Sequence, residues 1–405
     1  MTASTGETTT WPVAVTGAAV LTPLGDTLDG LAAALAAGRS AVEPAQELGG
    51  AGLAAIADFE ATRYANVRGL RLYNRPTRLG ICAAKLALAD SGVDAAGLPK
   101  EEVGVVLAST FGHLETLIEY DRSLVTVGLQ RTNPALMPLA IPSAPGAAIA
   151  LAFAAKAFSV TLSDSGVSSL DALALGSRLV AAGRARACVV VAVFSAAKEL
   201  ALAASRAGML APAAALRVFD RRRCGTALGE AAAAVVLERV EDARARGSAP
   251  RAFLRGQQST FAIEPRGIER AVWRACQGAL RRSELSGAEV GLVSSGASGS
   301  PQGDAAEARG LAGALGDAAP RTPVMAVKGN LGDTMDASGL LQALSAIAAM
   351  RSGRAPPILG LEDPEVPGLG YLKEEANVDA RHALITSVSP DGACSALVLS
   401  AGHGA

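Results

Sequence analysis

Two stretches of this sequence, residues 167–182 and 337–351, read as helices that are apolar on nearly every face. A helix without a polar stripe is buried all round, so the fold must surround each of these helices with other elements. One such helix lies in each half of the chain. The pattern therefore predicts a five-layered core in which two helices lie between two sheets.

Helix-stop signals bound both stretches. Gly183 and Gly353 follow the last apolar residues and are expected to end the helices. Asp164 and Ser165 precede the first helix and Asp336 precedes the second, so these side chains are expected N-caps.

Short Val-rich runs alternate with Ala-rich helical runs, which favours strand–helix units and a buried, mostly parallel sheet. The rhythm pauses at the Arg- and Pro-containing stretch 244–251 and then resumes. We therefore predict a flexible leader at 1–10, an N-terminal half at 11–250 and a similar C-terminal half at 251–405. Other predicted elements are strands at 13–21, 103–108, 188–193, 290–294, 324–327 and 383–388, and helices at 28–36, 76–90 and 267–280.

Charge and composition exclude several function classes. Basic and acidic side chains number 37 and 38, so no global field attracts nucleic acid, and 3% aromatic residues give no base-stacking platform. The longest uncharged stretch, 132–155, contains four prolines and is expected to be a buried loop entering a short helix rather than a membrane span. The leader lacks a basic region before an apolar run, so a cytoplasmic protein is expected.

The five cysteines form no CxxC pair and are odd in number, so neither a metal site nor a disulfide framework is predicted. No cofactor is expected either. A hydrophobic content of 50% with few aromatic residues means that the core must be built from Ala, Val, Leu and Gly.

Four motifs occur in a fixed order along the chain. They are VAVTGAAVLTPLG at 13–25, FDRRRCGTALGE at 219–230, SGSPQGDAAEA at 298–308 and VKGNLG at 327–332. In this order and spacing they resemble the β-ketoacyl synthases of fatty-acid and polyketide assembly. The resemblance covers almost the whole chain and implies an α/β, thiolase-like five-layered α-β-α-β-α fold of two similar halves.

The same resemblance implies a lost catalytic triad. Enzymes of this family use a Cys at the N-terminus of a buried helix to accept the acyl chain, and two His residues to stabilise the anion formed on decarboxylation of the extender. The matching positions here hold Gly166, Gly296 and Asp333. The three histidines of the chain, His113, His382 and His403, lie elsewhere, so no catalytic residue is expected.

Other residues at the motifs have structural and functional interpretations. Lys328 is expected to pair with Asp333 or Asp304, although Asp333 could instead be a general base if desolvated. Three serines are alternative nucleophiles, but no His lies nearby in sequence, which favours capping and packing; they are Ser163, Ser165 and Ser168. The resemblance makes three further acids a structural polar network, namely Glu230, Asp304 and Glu307. It also implies tunnel or gate positions at Phe111, Leu114, Met137 and Pro390, with His113 beside them.

Two functions from different classes follow from the resemblance. The first is a non-catalytic chain length factor that forms a heterodimer with an intact ketosynthase, shapes the tunnel for the polyketide or acyl chain, and meets the acyl carrier protein through its partner. Such subunits usually carry Gln at the Cys position, so Gly166 leaves aryl-polyene and other pathways open. The alternative is an enzyme with repurposed chemistry, by acyl transfer, dehydration or cyclisation, that uses Asp333, Lys328 or a Ser.

Overall fold

The computed structural model describes residues 13–94 and 97–402, so the predicted leader and His403 lie outside the described residues. The strands are β1 Val13–Leu21, β2 Glu43–Ala45, β3 Ala51–Ala54, β4 Val103–Ala108, β5 Ser159–Leu162, β6 Ala187–Phe194, β7 Leu228–Gly229, β8 Ala231–Arg239, β9 Ala252–Phe261, β10 Leu292–Ser295, β11 Pro323–Ala326, β12 Arg354–Ala355, β13 Gly370–Tyr371, β14 Ala376–Asn377, β15 His382–Val388 and β16 Ala393–Ala401. The helices are α1 Leu28–Ala36, α2 Arg75–Ser91, α3 Leu114–Val127, α4 Ala144–Phe153, α5 Ser168–Ala181, α6 Lys198–Arg206, α7 Val240–Ala245, α8 Ile268–Ser283, α9 Gly303–Leu315, α10 Lys328–Leu331 and α11 Ser338–Ser352.

Eleven strands form one sheet in the order β13-β11-β10-β15-β16-β9-β1-β8-β6-β4-β5. Pairings toward both outer edges are parallel, whereas those in the middle of this order are antiparallel. The prediction of a mostly parallel sheet is therefore wrong in the middle. There, the turn 389–392 between β15 and β16 is too short for the crossover that parallel strands need.

Among the described residues, the two half-sheets are joined between β1 and β9, over the pairs Val13–Leu254 to Val15–Ala252. Helices α2 and α4 cover the outer face of the N-terminal half-sheet, and α8 covers that of the C-terminal half with α9 against it. Helices α5 and α11 contact each other and lie between the halves. The five-layered prediction is confirmed.

Three apolar clusters fill the spaces between these layers. The central cluster includes Leu170 and Leu173 of α5 together with Leu340 and Leu344 of α11, all of them buried. Small side chains dominate all three clusters, which lets the helices and sheets approach closely. The core is thus built from the residue types that composition required.

Both central helices begin in the same way, but without the predicted caps. Each follows a 3-10 turn, Ser165–Val167 before α5 and Met335–Ala337 before α11. The first residue of each turn has a positive φ, 53° at Ser165 and 43° at Met335. No side chain caps either helix, so the capping roles predicted for Asp164, Ser165 and Asp336 are wrong; the turns enter the helices with helical backbone and leave no N-cap geometry.

Stretch 132–155 departs from expectation in one respect. It does end in a short helix, α4, but the preceding 3-10 turn Pro134–Leu139 and its flanks are mostly exposed rather than buried. No helix within residues 13–94 and 97–402 is long and apolar enough to cross a membrane.

Candidate functional site where the two halves meet

Gly166 and Gly296 lie against the same strand end. Gly166 lies in the 3-10 turn that leads into α5, and its carbonyl oxygen accepts a hydrogen bond from the Ser387 hydroxyl at 2.6 Å. Gly296 follows β10, and its N–H donates to the Glu307 carboxylate at 2.8 Å. A Cβ atom on Gly296 would lie 3.0 Å from Ser387 Cα. The fold therefore brings two of the three sequence-predicted positions to the end of β15.

The space around these two glycines differs. A Cβ atom on Gly166 would meet its nearest neighbours, in Val388 and Ser389, at 3.6 Å, which is ordinary van der Waals contact. A Cβ atom on Gly296 would lie 2.9 Å from the Thr386 carbonyl oxygen, which is too close without movement of the strand. Position 166 thus accepts a side chain, whereas position 296 is closed by backbone.

Asp333 is held in an ion pair. The Lys328 ammonium lies 3.1 Å from its carboxylate, and Lys328 is only 2% exposed. The same carboxylate oxygen accepts from the Met335 N–H at 2.9 Å and the Ser338 hydroxyl at 3.0 Å. Of the two expected partners of Lys328, Asp333 is the one observed. These contacts leave Asp333 committed to local structure rather than free to act as a base.

Asp336 lies at the centre of the hydrogen-bond network that joins the starts of α5 and α11, although the sequence predicted only an N-cap role for it. It is fully buried, and it accepts from the Thr110 N–H at 2.9 Å, the Thr110 hydroxyl at 2.7 Å and the Ser168 hydroxyl at 2.8 Å. The Thr110 hydroxyl in turn accepts from the Ser165 N–H at 3.0 Å. One carboxylate therefore ties the loop after β4 and the start of α5 to the start of α11.

Burial raises the pKa of Asp336 to about 6, against a usual 3.8, and the Thr110 and Ser168 hydrogen bonds only partly offset that rise. A carboxyl whose pKa is raised by folding binds its proton more tightly in the folded state, so its contribution to stability falls as pH rises through this window. We expect Asp336→Asn to gain up to about 3 kcal/mol in free energy of unfolding relative to the native protein between about pH 4 and pH 7.

Urea unfolding of both proteins at several pH values measures this difference. Because every other titrating group is common to the two proteins, only the pH dependence of the difference is informative. A difference that stays flat across the range would contradict the raised pKa.

Two of the candidate serines are engaged in local hydrogen bonds. The Ser163 hydroxyl donates to the Ser109 carbonyl at 3.1 Å. The Ser168 hydroxyl lies 2.8 Å from both the Ser165 carbonyl and Asp336, and Ser168 is fully buried. The Asp336 carboxylate therefore lies beside the Ser168 hydroxyl, where the sequence indicated no activating group. Because Ser168 is fully buried, a substrate cannot reach this hydroxyl.

The three remaining acids accept hydrogen bonds from guanidinium, backbone N–H and hydroxyl groups. Glu230 receives two hydrogen bonds from Arg75, at 2.6 and 2.7 Å, and one from the Ser195 hydroxyl. Asp304 accepts hydrogen bonds from the backbone N–H groups of Phe219, Ser298 and Gly299. Glu307 binds the Ser295 and Thr386 hydroxyls beside Gly296. Burial raises the pKa of both Asp304 and Glu307.

The predicted tunnel residues differ in exposure. Phe111 is partly buried against the central cluster, and its carbonyl accepts from the N–H of Leu114, which begins α3. Met137 is 60% exposed, and Pro390 is exposed in the turn between β15 and β16. His113 lies half-buried beside Phe111, and burial lowers its pKa.

The cysteines and the possible metal ligands were also located in the fold. Four cysteines are buried and Cys224 is exposed. Among the residues that the structure describes, no group of three or more His, Cys, Asp and Glu side chains could hold a metal ion.

Comparison with known proteins assigns both halves. Family models described as the N-terminal and C-terminal domains of beta-ketoacyl synthase match residues 10–243 and 251–362. The 3-oxoacyl-[acyl-carrier-protein] synthase 2 of Vibrio harveyi is 27% identical over 87% of this chain and 89% of its own length. The ketoacyl synthase alpha subunit of the tetracenomycin polyketide synthase from Streptomyces glaucescens is 30% identical over 72% of each chain.

A solved structure described as the ishigamide ketosynthase/chain length factor superposes with a TM-score of 0.87 at 23% identity, covering 97% of this chain and 99% of that one. At this level of identity the likeness shows the fold, which is that of the thiolase-like ketosynthases.

Proposed function

The chain belongs to the β-ketoacyl synthase family, and we propose that it is a non-catalytic subunit, a chain length factor, that pairs with a catalytically intact ketosynthase. One observation carries this proposal: the position at the start of the buried helix α5 is Gly166, and the neighbouring Gly296 is closed by backbone. Neither a nucleophile nor an imidazole is present where the family's chemistry takes place.

The large loss of turnover expected without a nucleophile and a base supports a non-catalytic role. Removing a covalent nucleophile and its base typically lowers turnover on the order of a million-fold. Asp333, at the third position, is paired with Lys328. Condensation by this chain alone would therefore be negligible, while Glu307 and Asp336 still hold the backbone around the site through hydrogen bonds.

An uncovered apolar surface supports pairing with another subunit. Helix α3 buries only Thr116 of its fourteen residues. Its C-terminal part and the following loop expose Val125 (87%), Leu129 (76%) and Met137. A surface of this kind on one side of a chain is typical of a protein–protein interface. We call Val125, Val127, Leu129, Met137 and Ile141 the α3 patch.

Strand β5 supports the same assignment. Within the residues that the structure describes, it is the outermost strand of the N-terminal half-sheet and pairs with β4 alone. An edge strand presents unpaired N–H and C=O groups that another chain can extend into a continuous sheet. We propose that an intact ketosynthase of the same fold covers both β5 and the α3 patch.

We propose that Phe111 and Leu114 affect product length because they lie close to the interface formed by β5 and the α3 patch. The loop that carries Phe111 is anchored by Asp336 through Thr110 and leads directly into α3. Side chains held between a fixed core and an interface would limit the space for a growing acyl chain. The acyl carrier protein would meet the complex through the catalytic partner.

The direct test compares three preparations: this chain alone, the chain with a catalytically intact ketosynthase of the same family, and the same complex with the partner's catalytic Cys replaced by Ala. We expect condensation of malonyl units only in the second preparation. A stable homodimer of this chain that condenses or hydrolyses acyl thioesters alone would overturn the proposal.

Product length provides a separate prediction. In the active complex, Phe111→Ala is expected to lengthen the acyl chain by at least one extender unit and Phe111→Trp to shorten it, because the side chain volume changes at the proposed tunnel wall. Mass spectrometry of carrier-bound intermediates measures the length. Ile263→Ala, at a residue 93% exposed between β9 and α8, is the control. Identical product lengths across the series would remove the tunnel role.

The alternative of repurposed chemistry rests on the contact between Asp336 and the Ser168 hydroxyl. Both side chains are fully buried, so a substrate would have to displace the packing around the start of α5. The partner-subunit role needs no such movement and is the function that the geometry favours.

A further inference from the structure

A second concave region lies at the opposite end of the C-terminal half-sheet. It is a groove of about 890 Å³ where β9 and β15 begin and β16 ends. His382 opens β15 at the groove and Val388 closes that strand beside Gly166 and Gly296. With a rise of about 3.3 Å per residue, the groove lies about 20 Å from the candidate site. It is therefore a separate feature of the fold.

Arginines dominate the rim of this groove. Arg251, Arg255, Arg351 and Arg381 all line it, together with one acid, Asp379. Arg251 is already paired with Asp90, and Arg351 with Asp29. In the part of the chain that the structure describes, Arg255 and Arg381 form no ion pair. Asp379 forms no ion pair there either, so the two guanidinium groups and this one carboxylate leave the groove with a net positive charge.

The positive charges of Arg255 and Arg381 act on the neighbouring imidazole of His382. Burial lowers the pKa of His382, and Arg381 and Arg255 lower it further, with Glu289 acting weakly in the opposite direction. Glu289 is already bound by the Ser286 N–H and hydroxyl at 2.8 Å. His382 itself contacts the Ser400 hydroxyl at 2.8 Å through Nδ1. The positive charge of the rim is therefore left for an external anion.

The floor of the groove is apolar. Phe253, Leu285, Ile347 and Met350 contribute to the lining, the last two from the C-terminal end of α11. A groove of several hundred Å³ with apolar walls and a few convergent polar groups has the form of a small-molecule site. Guanidinium groups bind carboxylate and phosphate oxygens in a bidentate way.

From this arrangement we infer that the groove binds an amphipathic anion, in which a carboxylate or phosphate head contacts Arg255 and Arg381 and an apolar chain lies on Phe253, Ile347 and Met350. Binding there would not require a ketosynthase partner, so the inference goes beyond the function proposed above. The head group and the chain are both needed, because the rim supplies charge and the floor supplies apolar area.

Calorimetry on the full-length protein tests the inference with four probes, each at a concentration below that at which it forms micelles. Dodecyl phosphate and dodecanoate carry both parts, dodecanol carries only the chain, and inorganic phosphate carries only the head. We expect one or both amphipathic anions to bind at least about tenfold more tightly than dodecanol or phosphate. The stronger of the two anions identifies the source of the head group.

The double variant Arg255→Gln/Arg381→Gln should weaken that binding at least about tenfold, since each charge-assisted contact is lost. Arg274→Gln, at an exposed arginine on α8, is the matched control and should leave it unchanged. Dodecanol or inorganic phosphate binding as tightly as the amphipathic anions, or equal binding by the double variant, would each overturn the inference.

Discussion

Gly296→Ala is expected to lower the free energy of unfolding by about 1 to 3 kcal/mol, and Gly296→His by about 3 kcal/mol or more. The first methyl group would lie 2.9 Å from the Thr386 carbonyl oxygen and 3.0 Å from Ser387 Cα, so β15 must move. The imidazole would add buried polar atoms without partners. Urea or thermal unfolding of the purified variants measures both changes.

Gly166→Ala is the matched control, because the chemical change is the same and the nearest atoms would be at 3.6 Å. We expect it to change the free energy of unfolding by less than about 1 kcal/mol. If the two alanine variants were equally stable, position 296 would not be closed, and the main argument against a reacting site would fail.

The same geometry predicts what restoring the cysteine does to activity. Gly166→Cys should fold normally and should not condense malonyl units, because position 296 has no room for an imidazole and Asp333 is held by Lys328. Measurable product from this single change, in the absence of a partner, would mean that the site had been misinterpreted.

Much of the architecture could be predicted because it depends on local patterns. The two helices that are apolar on nearly every face required layers on both sides, and α5 and α11 lie in that position. Strand direction could not be predicted as well, since a short turn such as 389–392 decides antiparallel pairing. Asp164 and Asp336 suggested side-chain N-caps, but α5 and α11 each begin from a 3-10 turn instead.

The site was harder to predict where its contacts are distant in sequence. Lys328 and Asp333 are five positions apart, and their pairing was one of two expected outcomes. Asp336 binds Thr110, 226 positions away, so no local pattern indicated its role. Its only sequence signal was an acid at the edge of an otherwise apolar helix, and that signal is equally typical of a cap.

The proposed loss of chemistry is compatible with the retained fold because the two depend on different residues. Glu307 still holds the Gly296 N–H, and Asp336 still joins the starts of α5 and α11 through Ser168. These contacts need no cysteine or histidine. The scaffold can therefore present α3 and β5 to another subunit whether or not the site reacts.

The largest effect on assembly is expected from charges placed in the α3 patch. Val125→Glu combined with Leu129→Glu should raise the Kd for an intact ketosynthase by about a hundredfold or more, because two carboxylates would have to be desolvated within an apolar interface. Both residues are highly exposed in the single chain, so the variant should retain its free energy of unfolding. Co-purification and light scattering measure the complex.

Ile263→Glu separates an interface from general surface hydrophobicity. Ile263 is 93% exposed and lies between β9 and α8, away from β5 and α3 in the element order. The same substitution there should leave the complex intact, since no proposed contact involves it. If the α3 variant still co-purified with the ketosynthase, or if Ile263→Glu disrupted the complex equally, the partner would not cover α3. The tunnel assigned to Phe111 and Leu114 would then lose its second wall.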